Sequence, residues 1–169
     1  MILGLDIATK TGYAVISKAG AVHESGVFDC SIRTKATKTI PADQEGRRIW
    51  CLEFGLFRLI SDHDIRLIAY ETITMGPKAG GKTHAVARWL EGIVLLTAYR
   101  EDIPTVSYAP GTIKKYATGD GRATKESMVE ACKSYPLDRE VQDDNEADAL
   151  HVAYLAQSKV INEKDRRTR

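Results

Sequence analysis

Three acids stand where strands and helices seldom carry them. Asp6 interrupts the apolar run "ILGLDIA", Glu71 closes "LIAYE", and Asp148 lies in "NEADALHVAYLA" among Ala147, Leu150 and Ala153. A buried carboxylate without a partner is strongly unfavourable, or else it stays protonated. For one acid the ordinary explanation is an element end that reaches solvent or meets an arginine. For three, no Lys or Arg is an evident partner in the sequence, and a shared divalent cation would stabilise them together. Hard oxygen ligands favour Mg²⁺ or Mn²⁺. Asp144 and Asn145 precede Asp148 by four and three residues and share its helical face, so either adds a further oxygen ligand. Glu146 is rotated away from that face and is expected in solvent. His151 is expected as a core or boundary histidine, not as a ligand.

The elements that must position these acids follow from the pattern. "MILGLDIA" (1–8), "TGYAVIS" (11–17) and "AVHESGVFDC" (21–30) read as three strands with short links, an antiparallel meander. A polar stretch, 31–48, begins as a loop and turns helical from about Asp43, with Ile49, Leu52, Leu56, Leu59 and Ile60 at three- and four-residue spacing. "IRLIAYE" (65–71) and "IPTVSYA" (103–109) read as strands flanking a long helix at 84–100. A short helix is expected after Pro110, another from Thr124 as its cap to about Tyr135, and a last one from about Asp144 to Lys159. Early strands followed by helix–strand alternation indicate one mixed α/β sheet.

Bulk properties bound the rest. A chain of 169 residues suits a single domain, here expected over 1–160 with a basic disordered tail at 161–169. A net charge of +1 means that any affinity for nucleic acid must come from local basic clusters. Three scattered cysteines, Cys30, Cys51 and Cys132, point to free thiols in a reducing compartment. With no leader-like start and no apolar run approaching the ~20 residues a bilayer needs, a cytoplasmic, non-membrane protein is expected.

Taken in order, these segments resemble the RuvC-type Holliday junction resolvases of the ribonuclease H-like superfamily. "ILGLDIATKTGYAVI" resembles that family's opening strand and turn, and "GVFDCSIRTK" its third strand and I-R-T segment. "LIAYETITM" resembles its strand with a catalytic Glu, and "NEADAL" its D-x-x-D-A-L helix. The match runs over about residues 2–156. It implies a ribonuclease H-like mixed five-stranded sheet, three antiparallel N-terminal strands plus two parallel ones, flanked by helices. It also implies a dimeric, Mg²⁺-dependent endonuclease for four-way DNA junctions, with two ions per site held by Asp6, Glu71 and Asp148. Lys114 and Lys125 fall at family lysines that contact or polarise the scissile phosphate. The chain departs from the family at Asn145, where an acid or His is expected, leaving Asp144 as the substitute. It departs again at Thr74, where members often carry a stacking aromatic.

Basic residues mark the expected DNA path. Lys114, Lys115, Arg122 and Lys125 cluster near the last acid, and Arg33, Lys35 and Lys38 follow the third strand. "GPKAGGKT" (76–83) matches the phosphate-loop pattern, yet about 75 residues precede it and Pro77 removes a cradle amide. A nucleotide cofactor is therefore not expected, and Lys78 and Lys82 are assigned to DNA phosphates on a basic flap. Helix 84–100 carries more apolar residues (Val86, Trp89, Leu90, Ile93, Val94, Leu96, Ala98) than one face needs, which suits a homodimer contact as well as burial.

Overall fold

Alternation in "ILGLD" sends Leu3 and Leu5 to one face of a sheet and Ile2, Gly4 and Asp6 to the other. A computed structural model of the chain describes residues 1–31, 42–74, 81–141 and 143–167, excepting the side chains of 42–43, 81–83 and 161–167. The elements are β1 Ile2–Asp6, β2 Lys10–Ile16, β3 Val22–Asp29, α1 Ala42–Asp62, β4 Leu67–Glu71, α2 Gly81–Arg100, β5 Thr105–Tyr108, α3 Pro110–Thr118, α4 Lys125–Ala131, a 3-10 turn Cys132–Ser134, and α5 Asp144–Arg167.

The five strands form one sheet in the order β3-β2-β1-β4-β5. β1–β2 and β2–β3 are antiparallel, whereas β1–β4 and β4–β5 are parallel, as the expected mixed sheet requires. One face packs Leu3, Leu5, Val15, Ile68 and Tyr70 against Leu52, Leu56 and Leu59 of α1 and Leu90 and Val94 of α2. The other packs Ile2, Ala14, Ile16 and Ala69 under α5, whose outer side is covered by residues of α3 and α4 such as Ile113 and Met128. Two glycines set how closely α5 lies on the sheet. A Cβ at Gly4 would stand 2.4 Å from the Ala149 carbonyl oxygen, and one at Gly12 only 1.9 Å from that of Asn145.

Two boundaries move from the sequence reading. α2 begins at Gly81, three residues early, and α5 continues to Arg167, where a disordered tail was expected. Residues 160–167, "VINEKDRR", contain no Gly or Pro, and Glu, Lys and Arg are good helix formers, so nothing local ends the helix at Lys159. Thr124 caps α4 as expected, its Oγ1 accepting from the Ser127 amide at 3.3 Å.

Glu146 is the clear correction. It is fully buried rather than solvated, accepting from Arg139 Nη2 at 2.5 Å and from Ser25 Oγ at 2.6 Å. Its place on α5 turns toward β3, and Arg139 arrives from the connection after the 3-10 turn, a partner more than a helical turn away in sequence. Arg139 also donates to the Ser25 carbonyl at 2.8 Å, so it ties β3 to α5. Breaking such a pair leaves a buried carboxylate short of donors. Arg139→Ala is expected to destabilise by about 3 kcal/mol, the lower end of the range for buried pairs because Ser25 remains. Urea unfolding of the purified variant reads this directly, and a midpoint unchanged from the parent would refute it.

Candidate active site

β1 and β4 run in parallel with Leu5 opposite Tyr70, so Asp6 and Glu71 end neighbouring strands at the same sheet edge. By the alternation above, both carboxylates point to the face on which α5 lies. Thr11, fully buried, donates its hydroxyl to the Ala8 carbonyl at 2.6 Å and locks the turn that follows Asp6. Beyond Glu71, the Thr72 amide donates to the Tyr108 carbonyl at 2.9 Å, and Arg88 Nη2 donates to the Ile73 carbonyl at 3.0 Å. The exit from β4 is thereby held from both sides.

α5 enters this edge with its N-terminus first. Asp143 caps it: its Oδ1 accepts from the amides of Asn145 at 3.0 Å and Glu146 at 3.1 Å. The helix then crosses Gly12, the register partner of Asp6, and brings Asp148 over the strand ends. The electrostatics record the meeting. Burial, then the charges of Asp148, Glu71 and Asp144, push Asp6 up to about 8. Burial and Asp148 raise Glu71 to about 7, and burial and Asp144 raise Asp148 to about 6. Lys114 opposes the shifts of Glu71 and Asp148, and Lys125 those of Asp6 and Asp148. No salt bridge reaches Asp6, Glu71 or Asp148 among the described residues.

Also among the described residues, no group of three or more His, Cys, Asp or Glu side chains is closed into a metal-ligating cluster. The donor set nevertheless fits a hard divalent ion in its chemistry. It offers oxygen alone, and its carboxylates raise one another's proton affinity, a repulsion that a cation would relieve.

The family model described as "Crossover junction endodeoxyribonuclease RuvC" matches residues 2–155. This chain belongs to the RuvC family. A Synechococcus member (strain WH7803) is 33% identical over 154 residues, covering 90% of this chain and 94% of its own. A Gloeobacter violaceus member is 32% identical over 158 residues, covering 90% and 84%. In fold, the chain is similar to Thermus thermophilus RuvC solved with a Holliday junction substrate. That likeness has a TM-score of 0.73 at 18% identity and covers 95% of this chain and 94% of the other. It is also similar to the yeast mitochondrial Holliday junction resolvase, with a TM-score of 0.60 at 14% identity over 99% and 86%. The family is one of endonucleases that cut DNA at crossover junctions, and its activity is metal-dependent.

Within this RuvC fold the remaining candidates separate. Asp144 is ion-paired with Lys125, which holds its carboxyl below the usual range while its charge still reaches Asp6 and Asp148. Asn145 Nδ2 donates to Asp143 Oδ2 at 3.1 Å, so its amide serves the helix start. Lys114 Nζ donates to the Ala123 carbonyl at 3.0 Å and remains close enough to act on Glu71 and Asp148. Arg122 lies in the α3–α4 connection and Lys115 on α3. Arg33, Lys35, Lys38 and Lys78 fall outside the described residues, as does the side chain of Lys82. His151 is buried as expected, with one ring nitrogen 2.7 Å from the Tyr135 hydroxyl and the other 2.8 Å from the Met128 carbonyl.

Two residues escaped the sequence reading. Asp143 was legible, since an Asp before a helical run is an N-cap signal. Lys10, the first residue of β2, is near enough to lower the Asp144 carboxyl, and only the register of β2 on β1 reveals it.

Proposed function

We propose that the chain is a structure-selective endonuclease that hydrolyses phosphodiester bonds in four-way DNA junctions, with Asp6, Glu71 and Asp148 holding two Mg²⁺ ions for which Mn²⁺ substitutes. The observation that carries this is the junction of three half-buried carboxylates from β1, β4 and α5 at one sheet edge. When bound, the ions supply Lewis acidity that favours the attacking water's ionised form and neutralises charge on the leaving 3′ oxygen. Asp6, on which the charges of both other acids act, would hold the metal together with them. Asp144, paired with Lys125, adds negative potential from outside rather than a ligand. Asn145 donates its Nδ2 to Asp143, which leaves its carbonyl oxygen as the atom that would add a further ligand.

Lys114 and Lys125 supply positive charge beside the acids and orient a DNA phosphate there. Arg122, Lys115 and Lys10 extend that track, and Arg33, Lys35, Lys38, Lys78 and Lys82 add further basic residues for DNA phosphates. Affinity built this way falls steeply with salt through counterion release.

A homodimer through α2 pairs two such sites for symmetric cleavage. What supports it is the outer face of α2: Trp89, Leu95 and Leu96 are more than two-fifths exposed and Tyr99 is 85% exposed, opposite the buried Leu90 and Val94. Leu96→Arg is expected to halve the sedimentation mass with little loss of stability, because Leu96 packs little in the single chain. A variant that sediments like the parent excludes this interface.

The decisive experiment is a substrate panel of four-way junction, flap, duplex and RNA, assayed with Mg²⁺ and with Mn²⁺. Junction-selective cutting, lost in Glu71→Gln, is expected. Preference for RNA would redirect the substrate, and binding without cutting would make the protein a junction binder.

A further inference from the structure

We propose that the cavity between the end of β3 and the first turns of α1 is an accessory nucleotide subsite, in which Arg47 and Arg48 hold a DNA phosphate and Trp50 stacks on the adjoining unpaired base. The inference rests on the junction-nuclease reading and adds to it a place for a nucleotide away from the reacting phosphate. The cavity measures ≈ 360 Å³ and is lined by Asp29, Ser31, Gln44, Arg47, Arg48 and Trp50, among others. That volume lies within the roughly 300–1,000 Å³ of small-ligand pockets, enough for one nucleotide and far too small for a duplex.

Its chemistry suits such a guest. Arg48 Nε and Gln44 Oε1 are buried yet find no hydrogen-bond partner among the described residues. Buried polar groups ordinarily have one, and a partner that enters the cavity would satisfy them. Arg47 stands exposed at the rim, adding a second guanidinium suited to phosphate. Asp29 is the one acid in the lining, and it is engaged by Ser31, whose amide donates to its Oδ1 at 3.0 Å and whose hydroxyl also donates to it. Trp50 is 61% exposed and lies on Phe54, ring centroids 5.4 Å apart and 24° from parallel. It is a braced aromatic platform beside two arginines, the combination that binds single-stranded nucleic acid.

Position links the cavity to the active site. Asp29 pairs in register with Lys10, and the Cys30 amide donates to the Thr9 carbonyl at 2.8 Å, so the cavity lies at the end of the sheet that carries Asp6 and Glu71. β3 is two strands from β1, roughly 10 Å at the usual spacing. At about 3.4 Å of axis per nucleotide, that is some three nucleotides along a strand.

The test uses the full chain and a fluorescent four-way junction, reading affinity by anisotropy across a salt series. Arg47→Glu and Trp50→Ala, both exposed, are expected to bind about tenfold more weakly, and Arg47→Ala/Arg48→Ala to lower the salt slope by one to two units, about 0.9 for each lost phosphate. Trp50→Phe should retain most of the affinity, as stacking predicts. In a Trp89→Phe background, indole fluorescence should be quenched by a single-stranded oligonucleotide. Parent-like affinity and slope in these variants, with cleavage intact, overturn the subsite and leave the nuclease reading standing. Weaker binding that comes with a fall in sedimentation mass overturns it in favour of an interface role for Trp50. A parent that neither binds nor cuts the junction removes the nuclease reading, and the subsite with it.

Discussion

Asp6→Asn is expected to abolish junction cleavage while leaving junction binding intact. Asp148 and Glu71 both act on the charge of Asp6 at the strand end. Asparagine keeps the shape and one oxygen but removes the negative charge on which a shared cation depends. A loss of at least about 10²–10³-fold in the single-turnover rate is expected, the scale on which one element of a preorganised charged site acts. Binding depends on basic residues elsewhere and should be unchanged in a gel-shift assay. Undiminished cutting by this variant would remove Asp6 from the mechanism.

The same substitution has an opposite expected effect on stability. The Asp6 carboxyl sits at about 8 in the folded chain against 3.8 ordinarily, because burial and like charge disfavour the ionised form. Folding therefore favours the bound proton. The stability this contributes is fully present below the unfolded value and is lost as pH rises through about 8. Glu71, at about 7, and Asp148, at about 6, act in the same direction. Metal-free protein should melt lower at about pH 8.5 than at about pH 5.5, and Asp6→Asn should flatten that slope and melt higher at the alkaline end. Magnesium should raise the parent's alkaline melting temperature more than the variant's. A parent whose melting temperature rises across that window would contradict the shared-charge account. This behaviour is what a site kept for function at the expense of stability predicts.

Gly12→Ala is the second large effect, and it acts on the site through packing. A Cβ there would stand 1.9 Å from the Asn145 carbonyl oxygen and 2.4 Å from its carbon, both main-chain atoms of the first turn of α5. Rotamer adjustment cannot relieve a backbone clash, so α5 or β2 must move. The cost is expected at about 3 kcal/mol or more, the upper end of overpacking effects. Because Gly12 is paired with Asp6, the shift also separates Asp148 from the strand ends. Thermal unfolding should show the destabilisation, and cleavage at a temperature where the variant is still folded should be severely reduced. Gly46→Ala, at a helical position where a Cβ meets nothing within 4 Å, is the matched control and should be neutral or slightly stabilising. Equal behaviour of the two variants would exclude the close approach of α5 as the reason for the glycine.

Much of the fold was legible because its signals are local. Short apolar runs marked β1, β2 and β4, Thr124 announced α4, and Asp6, Glu71 and Asp148 stood out as charges inside apolar segments. Glu146 was misread for the opposite reason. Its burial depends on Arg139 and Ser25, which come from other parts of the chain, and no helical projection of α5 alone contains them. Nor does the sequence show the partners of Asn145 and Asp144, whose side chains meet Asp143 and Lys125.

By itself, the sequence determined which residue types were available to do chemistry, which apolar segments the acids interrupt, and the family to which the ordered motifs belong. These follow from side-chain chemistry and from the two- and 3.6-residue periods, which need no partner to act. Only the tertiary structure decided which acids meet, which are already committed to a neighbour, and that Gly4 and Gly12 admit α5 closely enough to bring Asp148 to the strand ends. Those outcomes depend on parallel pairing of β1 with β4 and on helix-to-sheet contacts between residues more than a hundred positions apart. Non-local packing of this kind leaves no period in the chain, only the missing side chains at Gly4 and Gly12.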